Sequence, residues 1–154
     1  MLELTLLSEQ LDLYRLQRHD FMNHWQVIMG YLQLGNTDKA LNYMRNALQG
    51  LEAEQVMGQI PQPIVASCLL GFVVSLRSQG VQVQVEVSES IKEADFWEEF
   101  WQEEYGQALY GYTRGCLSDF QEHIVKLEQA KALLLLKATE GFMFYIRLLI
   151  TSTV

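Results

Sequence analysis

Apolar residues recur at alternating spacings of three and four through the first third of the chain. Leu4, Leu7, Leu11, Tyr14, Phe21, Trp25, Ile28 and Leu32 form one continuous series, interrupted by Arg18 alone. That period is the seam of a helix packed in a hairpin or bundle. It predicts a first helix from near Leu2 to Leu34, stopped at Gly35. Asn36 or Thr37 can cap the next helix, with Asp38 in its first turn. Leu41, Met44, Leu48 and Leu51 repeat the spacing, widened by Ala40, Tyr43 and Ala47, so a second helix runs to about Met57. A turn this short forces the two helices antiparallel. Their apolar stripes are too broad for two helices to cover. Two copies of the hairpin would close a four-helix bundle, so a homodimer is expected. The alternative is that the second half of the same chain covers the hairpin.

The run Gly58-Gln59-Ile60-Pro61-Gln62-Pro63 punctuates the chain. It divides a helical domain at residues 1–58 from a second domain at 64–154, with a linker at 59–63. Ile64 to Gln79 reads as a buried helix ended by Gly80. Val81, Val83, Val85 and Val87 then alternate with polar residues as a half-buried strand. Two helical stretches follow, roughly Glu93–Tyr112 and Cys116–Ala130. The runs Ala132–Thr139 and Phe142–Ile150, parted by Glu140-Gly141, read as a β-hairpin. The fold class is α+β: an antiparallel helical hairpin forming a dimeric four-helix bundle, then a small α/β sandwich of one sheet and a helical layer.

The frame of the first helix also places its polar residues. Thr5, Asp12, His19, Gln26 and Gln33 each follow an "a" position of the heptad and form a solvent-facing stripe. His19 is thereby presented to a large partner on a rigid element. Asn23 and Gln26 lie close to the same face. Imidazole titrates near pH ~6.5, so a large neutral, nucleophilic fraction exists at physiological pH. A carboxylate next to it, Asp20, can accept the other ring N–H, fix the tautomer and raise the basicity of the attacking nitrogen. Asn23 can bond a phosphoryl oxygen or place a water, and Arg15 and Arg18 can offset developing negative charge. Phosphoryl transfer asks mainly for alignment and charge neutralisation, and donor and metal can come from a partner. Adjacent helical side chains diverge by about 100°, so a direct His19–Asp20 hydrogen bond does not follow from sequence. A lone exposed histidine is more often an ordinary surface residue; the whole string around His19 carries the reading. His24 is five residues on and misses the i, i+4 zinc spacing, so it reads as a structural or rim contact. His123 stands alone on a helix surface.

The run Arg-His-Asp-Phe-x-Asn-His-x-Gln-Val-Ile-x-Gly from Arg18 to Gly30, then Leu32-Gln-Leu-Gly35, resembles the helical dimerisation and phosphoacceptor domain of the sporulation initiation phosphotransferase B type. Citrate and dicarboxylate sensor histidine kinases carry a similar segment. The resemblance spans Leu11 to roughly Met57; Trp25 stands where the family has Leu. It implies that His19 accepts the phosphoryl group, with Asp20 as its acidic neighbour and Asn23 as the polar residue. It implies a phosphorelay in sporulation initiation, passing phosphoryl groups between response-regulator aspartates. The partners would be receiver domains, with Mg2+ on the receiver and no cofactor on this chain.

The second half resembles, faintly, a reduced form of the kinase ATP-binding domain, best over Pro63 to Val87. Its departures are larger. Phe96 to Gly111 contains no Asn where kinases carry one for magnesium and ATP, and no Asp-x-Gly-x-Gly turn or P-loop pattern is present. ATP binding lacks its usual means, which favours a phosphotransferase over an autokinase. The rivals are a soluble histidine kinase with an atypical ATP site and a non-catalytic dimeric adaptor that docks response regulators.

Composition narrows the classes further. A net charge of −8 argues against nucleic acid and anionic membrane surfaces. Cys68 and Cys116 have neither metal nor redox spacing, which fits a reducing cytoplasm. No basic-flanked signal run opens the chain, and the most apolar stretch, Ile64–Leu76, is shorter than the ~20 residues a bilayer span needs. The aromatic and acidic residues Phe96 to Glu104 read as an amphipathic helix with core aromatics.

Overall fold

A computed structural model of the chain describes residues 1–124, 130–138 and 141–150. Helix α1 spans Leu2–Gln33 and α2 spans Thr37–Gly50. Gly35 takes φ +72° and reverses the chain, and the Asn36 side chain caps α2 by accepting from the Lys39 N–H at 3.2 Å. The second helix is shorter than its apolar period predicts. It ends at Gly50, a poor helix former, and a separate turn of helix, α3 (Glu52–Gly58), follows after Leu51. The break redirects the chain so that Ala53 and Met57 enter the core, where Met57 is fully buried.

Helix α4 covers Pro63–Ser78. The Gln62 side chain accepts from the N–H groups of Ile64 and Val65 at 2.7 and 3.0 Å, and Pro63 starts the helix without an orphan donor. Eight of its residues are buried, which explains its nearly unbroken apolar sequence. Gly80, at φ +83°, ends it and leads into β1 (Gln82–Val87). A 3-10 turn at Glu89–Lys92 then precedes α5 (Ala94–Phe100) and α6 (Glu103–Ile124).

The helical boundary in this stretch differs from the sequence expectation. The chain breaks at Trp101, whose ψ is 134°, and not between Tyr112 and Cys116. Within α6, Thr113 is fully buried and returns its hydroxyl to the carbonyls of Leu109 and Tyr110 at 3.0 Å each, so the helix continues through Gly111 and Gly115. Trp97 is pinned by donating its indole N–H to the Ile91 carbonyl at 2.7 Å. The part of the second helical stretch from residue 125 to 129 lies outside the described residues, as does the strand end at Thr139 and the turn residue Glu140. His123 falls within α6, but its side chain is outside the described set.

Strands β2 (Ala130–Ala138) and β3 (Phe142–Ile150) pair antiparallel, as the two apolar runs predict. β1 joins β2 in parallel, with Gln82 opposite Lys131 and Val87 opposite Leu136. The sheet order is β1-β2-β3. A parallel pair needs a long crossover, and α5 and α6 supply it. The architecture is α+β, with a helix-rich N-terminal region and one three-stranded sheet.

The core is shared between the two halves of the chain. Leu2, Leu6, Ala53 and Met57 belong to the same buried cluster as Leu69, Phe72 and Leu76 of α4 and Ala132, Leu134 and Leu136 of β2. Polar contacts repeat the connection. Glu9 accepts from the Tyr110 hydroxyl at 2.7 Å and pairs with the Arg114 guanidinium, whose carbon lies 4.7 Å over the Tyr110 ring. Gly71 lacks the Cβ that would come within 3.2 Å of Arg114 Nη2. Gln10 donates to the Ser67 carbonyl at 3.4 Å.

α1 is therefore apolar on two sides, and its own chain covers one. The side bearing Leu2 and Leu6 is buried. The heptad series faces outward: Leu4 is 70% exposed, Leu7 67% and Trp25 67%. Leu11, Tyr14, Phe21 and Leu32 are exposed as well, with Leu41 and Leu48 of α2. The second half of the chain thus packs on one side of α1 and leaves the heptad series open. Among the described residues no helix is long and apolar enough to cross a membrane.

The Glu9 clamp yields a direct expectation. Glu9→Ala strands the Arg114 guanidinium in a largely buried setting and should destabilise the fold by about 2 kcal/mol. Urea unfolding followed by circular dichroism measures this, and a change below about 0.5 kcal/mol would show the clamp to be dispensable.

Candidate functional site

The burial of Leu2 and Leu6 sets the rotation of α1 about its axis. Thr5, Asp12, His19, Gln26 and Gln33 all come out exposed, as the heptad frame predicts. The His19 side chain is 73% exposed. Its Nδ1 is 3.8 Å from Asp20 Oδ1 and 3.4 Å from Asn23 Nδ2, one turn further along. Nε2 is left without a partner among these contacts and is the nitrogen free to meet an incoming group. The 3.8 Å separation from Asp20 is an ion-pair distance, too long for a hydrogen bond. The carboxylate is near enough to tighten onto a ring N–H as positive charge grows there.

The two candidate cations on α1 are engaged one turn earlier. Arg15 Nη1 contacts Asp12 Oδ1 at 3.4 Å. Arg18 Nη1 donates to the Tyr14 hydroxyl at 3.2 Å, with its guanidinium 5.9 Å from that ring's centre. Both side chains point toward the helix N-terminus, the direction helical side chains favour. Gln26 is exposed on the His19 face.

A different arginine stands at the site. Arg77, in the last turn of α4, places Nη2 4.0 Å from Asp20 Oδ2 and 2.8 Å from Glu54 Oε1. Glu54 is only 8% exposed, and Gln17 donates to its other oxygen at 3.2 Å. The Arg77–Glu54 contact is a close ion pair without hydrogen-bond alignment, since Oε1 has no aligned donor. Burial pushes the Glu54 carboxyl above its ordinary range, against the opposing pull of Arg77 and Gln17. Sequence pattern had no means of finding this pair. Arg77 reads as a cation complementing a helix C-terminus, and Glu54 as one more charge in a short helix.

Between α1, α2 and α4 lies a groove of about 370 Å³, bordered by Asp20, Asn23, His24, Tyr43, Asn46 and Arg77. His24 Nδ1 and the Tyr43 hydroxyl are hydrogen-bonded at 2.6 Å, and the two rings meet edge to face. His24 thus ties α1 to α2 and forms one wall of the groove. A second hollow of about 830 Å³ runs along α3 and β1, away from His19, and shares Arg77 as a lining residue. Among the described residues no three His, Cys, Asp or Glu side chains converge as a metal ion requires. Cys68 is buried, and its thiol is pushed up to about 11 by desolvation, which keeps it unreactive near neutral pH.

The arrangement suits nucleophilic attack by an exposed imidazole on a group carried by another macromolecule. Comparisons with known proteins cover the same segment. Part of the chain, 92 residues or 58% of it, is 28% identical to the sensor protein CitS of Halalkalibacterium halodurans. The aligned part is 17% of that relative, so the chain spans a small fraction of the sensor's length. Residues 1–58 match the family described as "Sensor_kinase_SpoOB-type, alpha-helical domain". That match ends at Gly58, where α3 ends, and it takes in His19, Asp20 and Asn23. Over residues 1–58 the chain is therefore similar to the SpoOB-type alpha-helical domain, a helical hairpin related to those of sensor histidine kinases, and the similarity points to two-component signalling.

Proposed function

We propose that the protein is a phosphorelay phosphotransferase that carries a phosphoryl group on His19 between response-regulator receiver domains, in the initiation of sporulation and in the cytoplasm. The observation that carries the reading is a largely exposed His19 side chain whose Nδ1, not Nε2, is turned toward Asp20 and Asn23. A receiver bearing an aspartyl phosphate docks over α1. With the ring proton on Nδ1, the Nε2 lone pair attacks phosphorus in line. The N–P bond forms, the P–O bond to the receiver's aspartate breaks, and that aspartate leaves as a carboxylate. Asp20 accepts a hydrogen bond from Nδ1–H as the ring becomes cationic. Attack by a second receiver's aspartate reverses the same steps. Any magnesium belongs to the receiver. Asn23 and the exposed Gln26 are placed to meet phosphoryl or receiver groups, while Arg15 and Arg18 flank the docking face.

The uncovered seam of α1 and α2 supports a homodimer closing a four-helix bundle. Leu4, Leu7, Leu11, Tyr14, Phe21, Trp25 and Leu32 are more than single scattered apolar residues; they form one stripe down the helix. A second copy of the same hairpin offers the matching stripe with two-fold symmetry.

The similarity to a sensor protein favours one other reading, a histidine kinase with an atypical nucleotide site. Incubation with labelled ATP and magnesium, without any receiver, separates the two. Label appearing on His19 would establish the kinase.

Two outcomes test the leading proposal. His19→Gln should abolish acid-labile phosphate uptake from a phosphorylated receiver while sedimentation and circular dichroism stay as in the wild type; uptake at the normal rate would refute it. Leu11→Glu removes from each side of the symmetric interface a leucine that the dimer would bury, about 1.5–3 kcal/mol apiece, and should weaken the dimer by at least about a hundredfold in sedimentation velocity. A wild-type protein that sediments as a monomer at tens of micromolar, on the order of ordinary assay concentrations, would end the dimer proposal.

A further inference from the structure

Asp20 is shared between two neighbours, one oxygen to each. Oδ1 lies 3.8 Å from His19 Nδ1, and Oδ2 lies 4.0 Å from Arg77 Nη2. Behind Arg77, the same Nη2 is 2.8 Å from Glu54 Oε1. We propose that Arg77 is a positioning residue for His19: it holds the Asp20 carboxylate turned toward the imidazole, and is itself fixed by the buried Glu54. This deepens the phosphotransfer reading and rests on it.

Helix geometry creates the need for such an anchor. Neighbouring side chains leave α1 about 100° apart, so Asp20 does not face His19 by virtue of its position alone. A cation on the far side of the carboxylate fixes its plane and leaves the near oxygen aimed at the ring. Arg15 and Arg18 are occupied by Asp12 and Tyr14. Arg77 comes from the second half of the chain, which gives that half a part in the chemistry of the hairpin.

Glu54 makes the anchor rigid. With a carboxylate 8% exposed and held by Gln17, Arg77 cannot swing away without stranding a buried charge. One cation then serves two carboxylates, so Asp20 is oriented without being fully neutralised and remains an acceptor. His19 Nδ1 faces Asp20 and Asn23; the groove beside them is lined by His24 from α1, Tyr43 from α2 and Arg77 from α4, and Glu54 from α3 stands behind Arg77.

Asn23 makes the arrangement decisive. Its Nδ2, 3.4 Å from the same Nδ1, donates only to a ring whose proton is on Nε2. The Asp20 carboxylate, 3.8 Å from Nδ1, favours the proton there. The two neighbours thus favour opposite tautomers, and only the Asp20 tautomer frees Nε2 for attack. Arg77, by fixing Asp20, tips the balance toward the reactive form.

Nitrogen-15 shifts of the His19 ring, measured on the unphosphorylated protein, report the tautomer directly. Arg77→Gln should move the neutral ring toward the Nε2–H form, as Asp20→Asn should, and Arg77→Lys should largely keep the wild-type balance. Phosphoryl uptake at saturating phosphorylated receiver should fall about tenfold in Arg77→Gln and recover to within about threefold in Arg77→Lys. The half-saturating receiver concentration should not change. The double variant Glu54→Gln/Arg77→Gln removes the cation without stranding a buried carboxylate. It should melt like the wild type and show the same tautomer shift and loss of rate. A folded double variant with wild-type tautomer and rate would overturn the proposal, as would a loss confined to the half-saturating concentration. If the wild type takes up no phosphoryl group at all, the phosphotransfer reading falls, and the tautomer measurement still decides whether Arg77 governs Asp20.

Discussion

The burial of Leu2 and Leu6 against α4 and α6 fixes how α1 is turned about its axis, and most of the site follows from that rotation. A helix advances about 100° per residue, so one buried stripe determines the direction of every other side chain. With Leu2 and Leu6 inward, Gln17 meets Glu54, Asp20 meets Arg77 and His24 meets Tyr43. His19 is carried to the open face. A rotation of one position would put the imidazole toward the groove and its carboxylate into solvent. The Glu9–Arg114–Tyr110 clamp holds the same rotation through polar contacts at the other end of the helix.

The second consequence of that rotation is the outward-facing seam. A helix with apolar residues on two sides cannot satisfy both within a small chain, because its own second half can reach only one. Here the reachable side is the one continuous with α4 and the sheet. The other side carries the strict three-four period, which is the pattern of helices packing along a shared axis. Local packing and proposed pairing thereby occupy different faces of α1, and His19 lies on neither.

The second half of the chain does more than cover apolar surface. Its helix α4 ends beside the hairpin, and the arginine in its last turn reaches two carboxylates from two other helices. Glu54 is the costly member of this set. Burial drives its carboxyl up, and the nearby guanidinium and Gln17 offset the cost only in part. A charged pair in such a place is a weak source of stability but a precise source of geometry. The structure therefore couples the integrity of the core below the groove to the orientation of Asp20 above it.

Local pattern alone was enough to define α1, the Gly35 turn, a cap at Asn36 or Thr37, the alternating β1 and the β2–β3 hairpin, because each depends on residues within a few positions of one another. The exposure of His19 was legible for the same reason: a helical period assigns faces without knowledge of what packs on them. Helix boundaries in the middle of the chain were less legible. The breaks after Gly50 and at Trp101 serve the packing of Ala53, Met57 and Trp97 in a shared core, and no local rule encodes that demand. The cation beside Asp20 was beyond reach of the sequence altogether. Arg15 and Arg18 were the near candidates in the chain, whereas Arg77 is near only in space, brought there by the docking of α4 on α1. Spacing along one helix determines what that helix presents; which charge arrives from another element is decided by the tertiary fold, because Coulombic contacts depend on distance through space and not along the chain.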